Sequence, residues 1–259
     1  MRIIGALSFA LLAMRAVEAL YCGNPDEPEL IDQGLFFAPN SSIGLKIGYQ
    51  GDFIFNRRLE ATSGVHCLVD EFSSRMNQGV ATLNFLDRIE AFGSVGAMSA
   101  YTAFRPHRDE KRREFQAGDA LTWGAGGRVL LFPWGDVNIG CSGSYQYADL
   151  PIRFNAINGE SFSTDAKMKY WEWQVAALLS YRIEMFEPYC GVSYSVAESV
   201  FRHVSSNMQL GHRQFKMKSQ ERVGLALGCS LTASKVVDLN LEVRLFSEES
   251  LTIAGNIKF

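Results

Sequence analysis

Beyond its first nineteen residues the sequence lacks any long greasy stretch. No run after Ala19 approaches the ~18 consecutive apolar residues that a membrane helix needs. The rest of the chain is therefore either exported and soluble or crosses a membrane as strands. It also lacks a dominant charge: 25 Lys and Arg face 28 Asp and Glu, for a net charge of −3. That balance excludes the basic surface of a nucleic-acid binder and the acidic run of a solvated tail. Histidines number 4 and cysteines 5, with no CxxC and no Cys/His spacing of a zinc site, so no metal and no other cofactor is expected.

What is present begins with Arg2, a mostly apolar Ile3 to Met14, and Val17-Glu18-Ala19 as a small-residue cleavage site. These are the parts of a secretory signal peptide, and the alternative is a buried N-terminal helix. The expected organisation is a signal peptide at 1–19, a periplasmic segment at 20–41 and a single domain at 42–259. A lipid anchor on Cys22 is disfavoured because the neighbouring Tyr21 is bulky. Export permits disulfides, and an odd number of cysteines leaves at least one thiol free or paired between chains.

The domain is built from period-two alternation, the mark of a strand between two environments. In 43–57, Ile43, Leu45, Ile47, Tyr49, Phe53 and Phe55 share one face, and Lys46, Gln50, Asp52 and Asn56 the other. The pattern recurs at 121–131, 136–147, 170–181, 222–231, 237–245 and 251–259. It is weaker at 78–86, 89–101 and 187–199. Together these make about ten strands of the length a tilted membrane strand requires. Their connections alternate in length. Short ones lie at Leu86-Asp87-Arg88, Pro133-Trp134-Gly135, Glu184 to Glu187 and Ala233-Ser234-Lys235. Long polar ones lie near 58–77, 102–115, 149–165 and 200–216, and a tight one near Ser247 to Glu249. Short periplasmic turns and long outer loops are the habit of outer-membrane barrels, and an even strand number leaves both termini in the periplasm.

Periodicity alone does not say which face is inside, because a soluble barrel or sandwich alternates too. Three features place lipid outside. The polar faces carry full charges: Lys46, Asp52, Arg128, Glu172, Arg222, Asp238, Glu242, Arg244 and Lys258. Aromatics gather near strand ends (Trp134, Tyr147, Trp171, Tyr181, Phe186), as interfacial girdles require. The chain ends on Phe259 within an alternating strand, the kind of terminus that barrel assembly machinery reads. The expected fold is an all-β, transmembrane, antiparallel up-and-down β-barrel in contact with outer-membrane lipid.

Several stretches resemble the chlamydial major outer membrane protein family of porins. Gly23-Asn24-Pro25-Asp26-Glu27-Pro28 is similar to the family's mature N-terminus, and Gly48-Tyr49-Gln50-Gly51-Asp52-Phe53-Ile54-Phe55 to its first strand. Asn84-Phe85-Leu86-Asp87-Arg88-Ile89-Glu90-Ala91-Phe92, followed by Val95-Gly96-Ala97, looks like its first tight turn. Glu172-Trp173-Gln174, Leu179-Ser180-Tyr181-Arg182 and Met185-Phe186-Glu187-Pro188-Tyr189 resemble a later one. Lys216-Met217-Lys218-Ser219 and the tail to Phe259 complete the likeness. The chain is shorter than the family's main member, lacks its long loop insertions and has fewer cysteines, so it reads as a divergent or paralogous member. The resemblance implies passive diffusion of small solutes and ions through an outer-membrane pore, and a trimeric homo-oligomer.

The charged residues named above are the candidate pore lining, where opposed acids and bases select solutes by charge and size. The alternative is that they pair across the lumen and plug it, because small barrels fill with side chains; the protein would then be a structural or surface-interaction barrel. Cys141, Cys190 and Cys229 fall on apolar faces as small hydrophobes, whereas Cys22 and Cys67 are the candidates for a disulfide. His66, His107, His203 and His212 fall in outer loops with Asp70, Glu71, Asp109 and Glu110. A hydrolase would need them to converge, but no nucleophile motif accompanies them and no catalytic residue is assigned.

Overall fold

Strands can cross hydrocarbon only when no sheet edge is left open, because lipid offers no partner for a free N–H or C=O. The computed structural model describes residues 20–29, 43–62, 68–106, 111–162, 164–205, 214–234 and 236–259, and these contain strands and no helix. Ten long strands run antiparallel in chain order: β1 (Ile43–Arg57), β3 (Leu68–Phe85), β4 (Ile89–Arg105), β5 (Arg113–Trp134), β6 (Val137–Ile157), β8 (Lys167–Tyr181), β9 (Phe186–Arg202), β11 (Val223–Ser234), β12 (Val237–Leu245) and β13 (Glu248–Lys258). Three short strands decorate the outer rim: β2 (Leu59–Ala61), β7 (Glu160–Phe162) and β10 (Phe215–Ser219). The sheet closes because β1 pairs with both neighbours, Lys46↔Lys258 through Arg57↔Glu248 on β13 and Ile43↔Phe85 on β3. Phe259 extends the seam by donating its backbone N–H to the Leu45 carbonyl at 2.8 Å.

The periplasmic turns fall where the short connections are expected. Leu86 and Asp87 both take positive φ, and the Arg88 N–H returns to the Phe85 carbonyl at 3.1 Å, which closes β3 onto β4 as a tight hairpin. Asn158-Gly159 makes a similar turn at the outer rim between β6 and β7, with φ values of 50° and 86° that suit Asn-Gly.

The faces are inverted relative to a soluble protein. Trp123 (47% exposed), Leu227 (42%) and Val243 (37%) look outward, whereas Arg128 (5%) and Glu242 (1%) look inward. Tyr145 and Tyr147 flank Trp123 with ring centroids 5.8 and 5.9 Å away, and Trp173 meets Tyr194 at 5.5 Å, forming the aromatic belt of the outer interface. Cys141, Cys190 and Cys229 are unpaired and share this outward face. A Leu227→Arg substitution places a cation on that face; it is expected to destabilise the refolded barrel by about 2–4 kcal/mol near the bilayer midplane, read as a lowered urea midpoint in vesicles.

Above the membrane the polarity reverses. Phe72, Met76, Phe104, Phe115, Leu150, Ile152, Met168, Phe201, Phe215 and Met217 point inward and are buried in one cluster. Arg75, Asn77, Gln116, Asp119, Asp149 and Lys167 alternate with residues of this cluster and face outward. This corrects the expected loops at 58–77, 102–115 and 149–165, much of which is strand: β3 begins at Leu68, β5 at Arg113, and β6 runs on to Ile157. The wall leaves lipid there and meets water, so the alternation switches sign and reads as loop when an apolar outer face is sought.

Candidate functional site

The nine charged residues expected to line the lumen converge inside the barrel, with one exception. Lys46, Asp52, Arg128, Glu172, Asp238, Glu242, Arg244 and Lys258 are all buried on the inner wall. Arg222 is exposed at the outer rim, with Nη1 3.4 Å from the Tyr194 hydroxyl. The correction has a simple cause: β11 starts at Val223, so Arg222 lies before the strand and the alternation does not fix its side chain.

The lumen acids and bases form a connected ladder. At one end Lys46 meets Glu90 at 2.6 Å, and Glu90 accepts from Arg128 at 3.1 Å. At the other, Arg57 meets Glu172 at 2.5 Å, the Tyr170 hydroxyl at 2.6 Å, and Glu248. Arg244 links the upper group to the middle, 3.3 Å from Glu248 and 3.5 Å from Glu242, and donates to Gln174 at 2.9 Å. Arg57, Glu90 and Glu248 were not among the expected lining residues. Glu90 and Glu248 lie at strand starts, next to turns. Arg57 is turned inward by the register shift between Ile54 and Asn56, a bulge that reverses parity within β1 and leaves Asn56 half-buried.

The element that completes the ladder is not part of the wall. Residues 20–29 were expected in the periplasm; 20–28 are instead buried within the barrel. The Cys22 and Gly23 backbone N–H groups donate to the two oxygens of Glu242 at 2.9 and 3.0 Å. Asn24 donates to Ser230 at 2.9 Å, Asn256 donates to Glu27 at 2.9 Å, and Arg128 holds Glu27 at 2.9 Å. Arg182, at the periplasmic turn, grips Asp26. The Tyr21 ring lies 4.9 Å from the Arg128 guanidinium carbon, a cation–π contact. Gly23 is obligatory where the segment passes Arg128: its φ is +81°, and a Cβ would sit 2.4 Å from Arg128 Nε. Without the segment, Glu242 would keep only Tyr189 and Arg244 as polar partners and Arg128 only Glu90.

Burial pushes the Glu27 carboxyl up to about 7, outweighing the pull of Arg128 and Lys46 and reinforced by Glu90 and Asp238. A raised carboxyl favours the docked state while it is protonated, and that advantage is lost as pH rises from about 4.5 through about 7. Docking is therefore expected to weaken between acid and mildly alkaline pH, and Glu27→Gln to flatten the profile. Fluorescence of a probe on the segment reads both.

Cys22 is a free buried thiol that accepts from Gln174 Nε2 at 2.7 Å; its candidate partner Cys67 lies outside the described residues. So do His66, His107, His212, Asp109, Glu110 and the expected signal peptide. His203 is exposed at the rim, while Asp70 pairs with Arg105 at 3.0 Å and Glu71 with Arg112 at 3.5 Å. Among the described residues no His/Cys/Asp/Glu group could hold a metal ion.

A closed antiparallel barrel with a lipid-compatible outer face and an ionised interior is an outer-membrane β-barrel. The chlamydial major outer membrane protein family model matches residues 135–204. Aligned over nearly all of both chains, the sequence is 23% identical to the serovar B major outer membrane porin of Chlamydia trachomatis (96% of this chain, 97% of the relative). It is 22% identical to the major outer membrane porin of Chlamydia muridarum (98% of each). Among solved structures, the translocator domain of the Neisseria meningitidis autotransporter NalP is 10% identical, covering 85% of this chain and 89% of that one at a TM-score of 0.44. The chain is thus similar to the chlamydial major outer membrane porins over nearly its whole length, and it is located in the outer membrane.

Proposed function

We propose that this barrel is a porin-like channel for small solutes and ions, held closed in this conformation by its own residues 20–29. The observation that supports this reading is the ionised band of the inner wall, bridged by a segment that is not a strand. A barrel built for stability alone gains nothing from such a band. Burying paired charges is often no better than burying apolar side chains of similar volume, and the outer half of this lumen already uses the apolar solution. Solutes move down their gradients and no catalytic role is assigned. Phe259, beside Leu45 at the seam, is proposed as the signal read by the assembly machinery.

Buried wall acids (Asp52, Glu90, Glu172, Glu187, Glu198, Asp238, Glu242 and Glu248) outnumber buried wall bases (Lys46, Arg57, Arg128, Arg244 and Lys258). Once open, the channel is expected to prefer cations. Planar-bilayer recordings of the refolded chain in a salt gradient test both parts: brief openings whose reversal potential favours K⁺ support the reading. Folded protein that is silent both intact and without residues 20–29 removes it. The apolar outer cluster then favours the second reading, a structural barrel without a pore.

A further inference from the structure

The barrel wall is uneven in height, and the low side carries an opening. β5 and β6 are 22 and 21 residues long, whereas β12 and β13 are 9 and 11. The β12–β13 hairpin therefore turns back early, through Phe246 at φ 76°. Above it the sheet closes again without those strands: β2 pairs with β10 through Met217↔Ala61, Lys218↔Glu60 and Ser219↔Leu59. The lower edge of this bridge is the Gln220 N–H bonded to the Arg58 carbonyl at 3.0 Å and the Arg58–Glu221 ion pair at 2.7 Å. Between lintel and hairpin lies a cavity of about 360 Å³, lined by Asn56, Arg58, Glu221, Phe246, Glu248 and Glu249 among others. At about 30 Å³ per water, that is room for a hydrated ion with its first shell.

This cavity reaches the ladder directly. Glu248, buried on its inner side, is bonded to Arg57 and sits 3.3 Å from Arg244. The top of the barrel, by contrast, is closed over the ladder by stacked rings: Phe201 and Phe215 lie 4.7 Å apart, and Phe115 and Phe201 5.1 Å. We infer that solutes enter the lumen sideways, through this window in the wall, and that the window admits small cations. Arg58 is neutralised by Glu221 and Glu248 by Arg57 and Arg244, which leaves the exposed Glu249 to set the sign of the opening. The inference rests on the pore reading and adds the route to it.

The test uses the full mature chain with its five native cysteines replaced by serine, in planar bilayers and vesicles. Glu249→Cys, at the exposed edge of the window, is modified with a bulky, positively charged thiol reagent. K⁺ current is expected to fall by more than half, whereas the same reagent on Thr62→Cys, beside Phe215 at the apolar top, leaves it unchanged. Current lost through Thr62 and kept through Glu249 overturns the window. A second readout needs no current: Glu248→Cys and its neighbour Ser247→Cys should react quickly with a membrane-impermeant maleimide, and Phe104→Cys in the ring cluster slowly. If the channel is silent even without residues 20–29, the pore reading fails. The reaction rates then still decide the window, and unreactive cysteines at 247 and 248 reject it.

Discussion

Deleting residues 20–29 is expected to raise the open probability of the refolded barrel by about two orders of magnitude. The segment's charge-assisted contacts include two N–H bonds to Glu242, the Arg128–Glu27 pair and the Arg182–Asp26 pair. Bonds to charged groups contribute about 1.5–3 kcal/mol each. The conformational entropy lost on ordering the segment opposes these contacts, and burial of Tyr21 and Cys22 adds to them. A net of about 3 kcal/mol corresponds to a hundredfold shift in a two-state equilibrium. Single-channel recordings should pass from rare openings to a mostly open trace. Unchanged silence in a deletion variant shown to be folded would assign the segment no gating role.

Arg57→Met is expected to be the most destabilising single change in the wall. Arg57 holds Glu172, Glu248 and the Tyr170 hydroxyl, all buried. Removing it leaves two buried carboxylates facing each other, and breaking a buried pair from one side costs about 3–5 kcal/mol. The expected readout is a large drop in urea midpoint with the m-value unchanged. The triple variant Arg57→Met, Glu172→Gln, Glu248→Gln should recover much of the loss, because the penalty is the stranded charge and not the missing cation. A single variant as stable as the parent would mean that water reaches this group freely.

How far these features could be read from the sequence depends on which environment each face meets. Where lipid lies outside, the alternation is plain: Leu225, Leu227, Val243 and Leu245 against Glu242 and Arg244 gave both strand and orientation. The nine candidate lining residues follow from the same parity, and eight of them are buried on the inner face of the wall. Parity is local, however. The bulge between Ile54 and Asn56 reverses it and hides Arg57, and the start of β11 releases Arg222 from it. Above the membrane the rule changes sign, so Phe72, Met76, Leu150 and Ile152 carry no mark of strand when the greasy face is sought outside. The docked segment was least legible of all. Cys22, Asn24 and Glu27 have no periodicity, and their meaning lies in partners 206 to 229 positions away: Ser230, Glu242 and Asn256.

Closure of the lumen requires that residues 20–29 occupy the conducting path. Asn24 and Ser230 meet at 2.9 Å, one on the segment and one on β11. In the chain free of its native cysteines, Asn24→Cys with Ser230→Cys can be oxidised to fix the segment inside the barrel. Single-channel current of the oxidised protein should vanish and return on addition of a reductant. Equal current before and after reduction, with the cross-link verified, would contradict the claim that this segment closes the lumen.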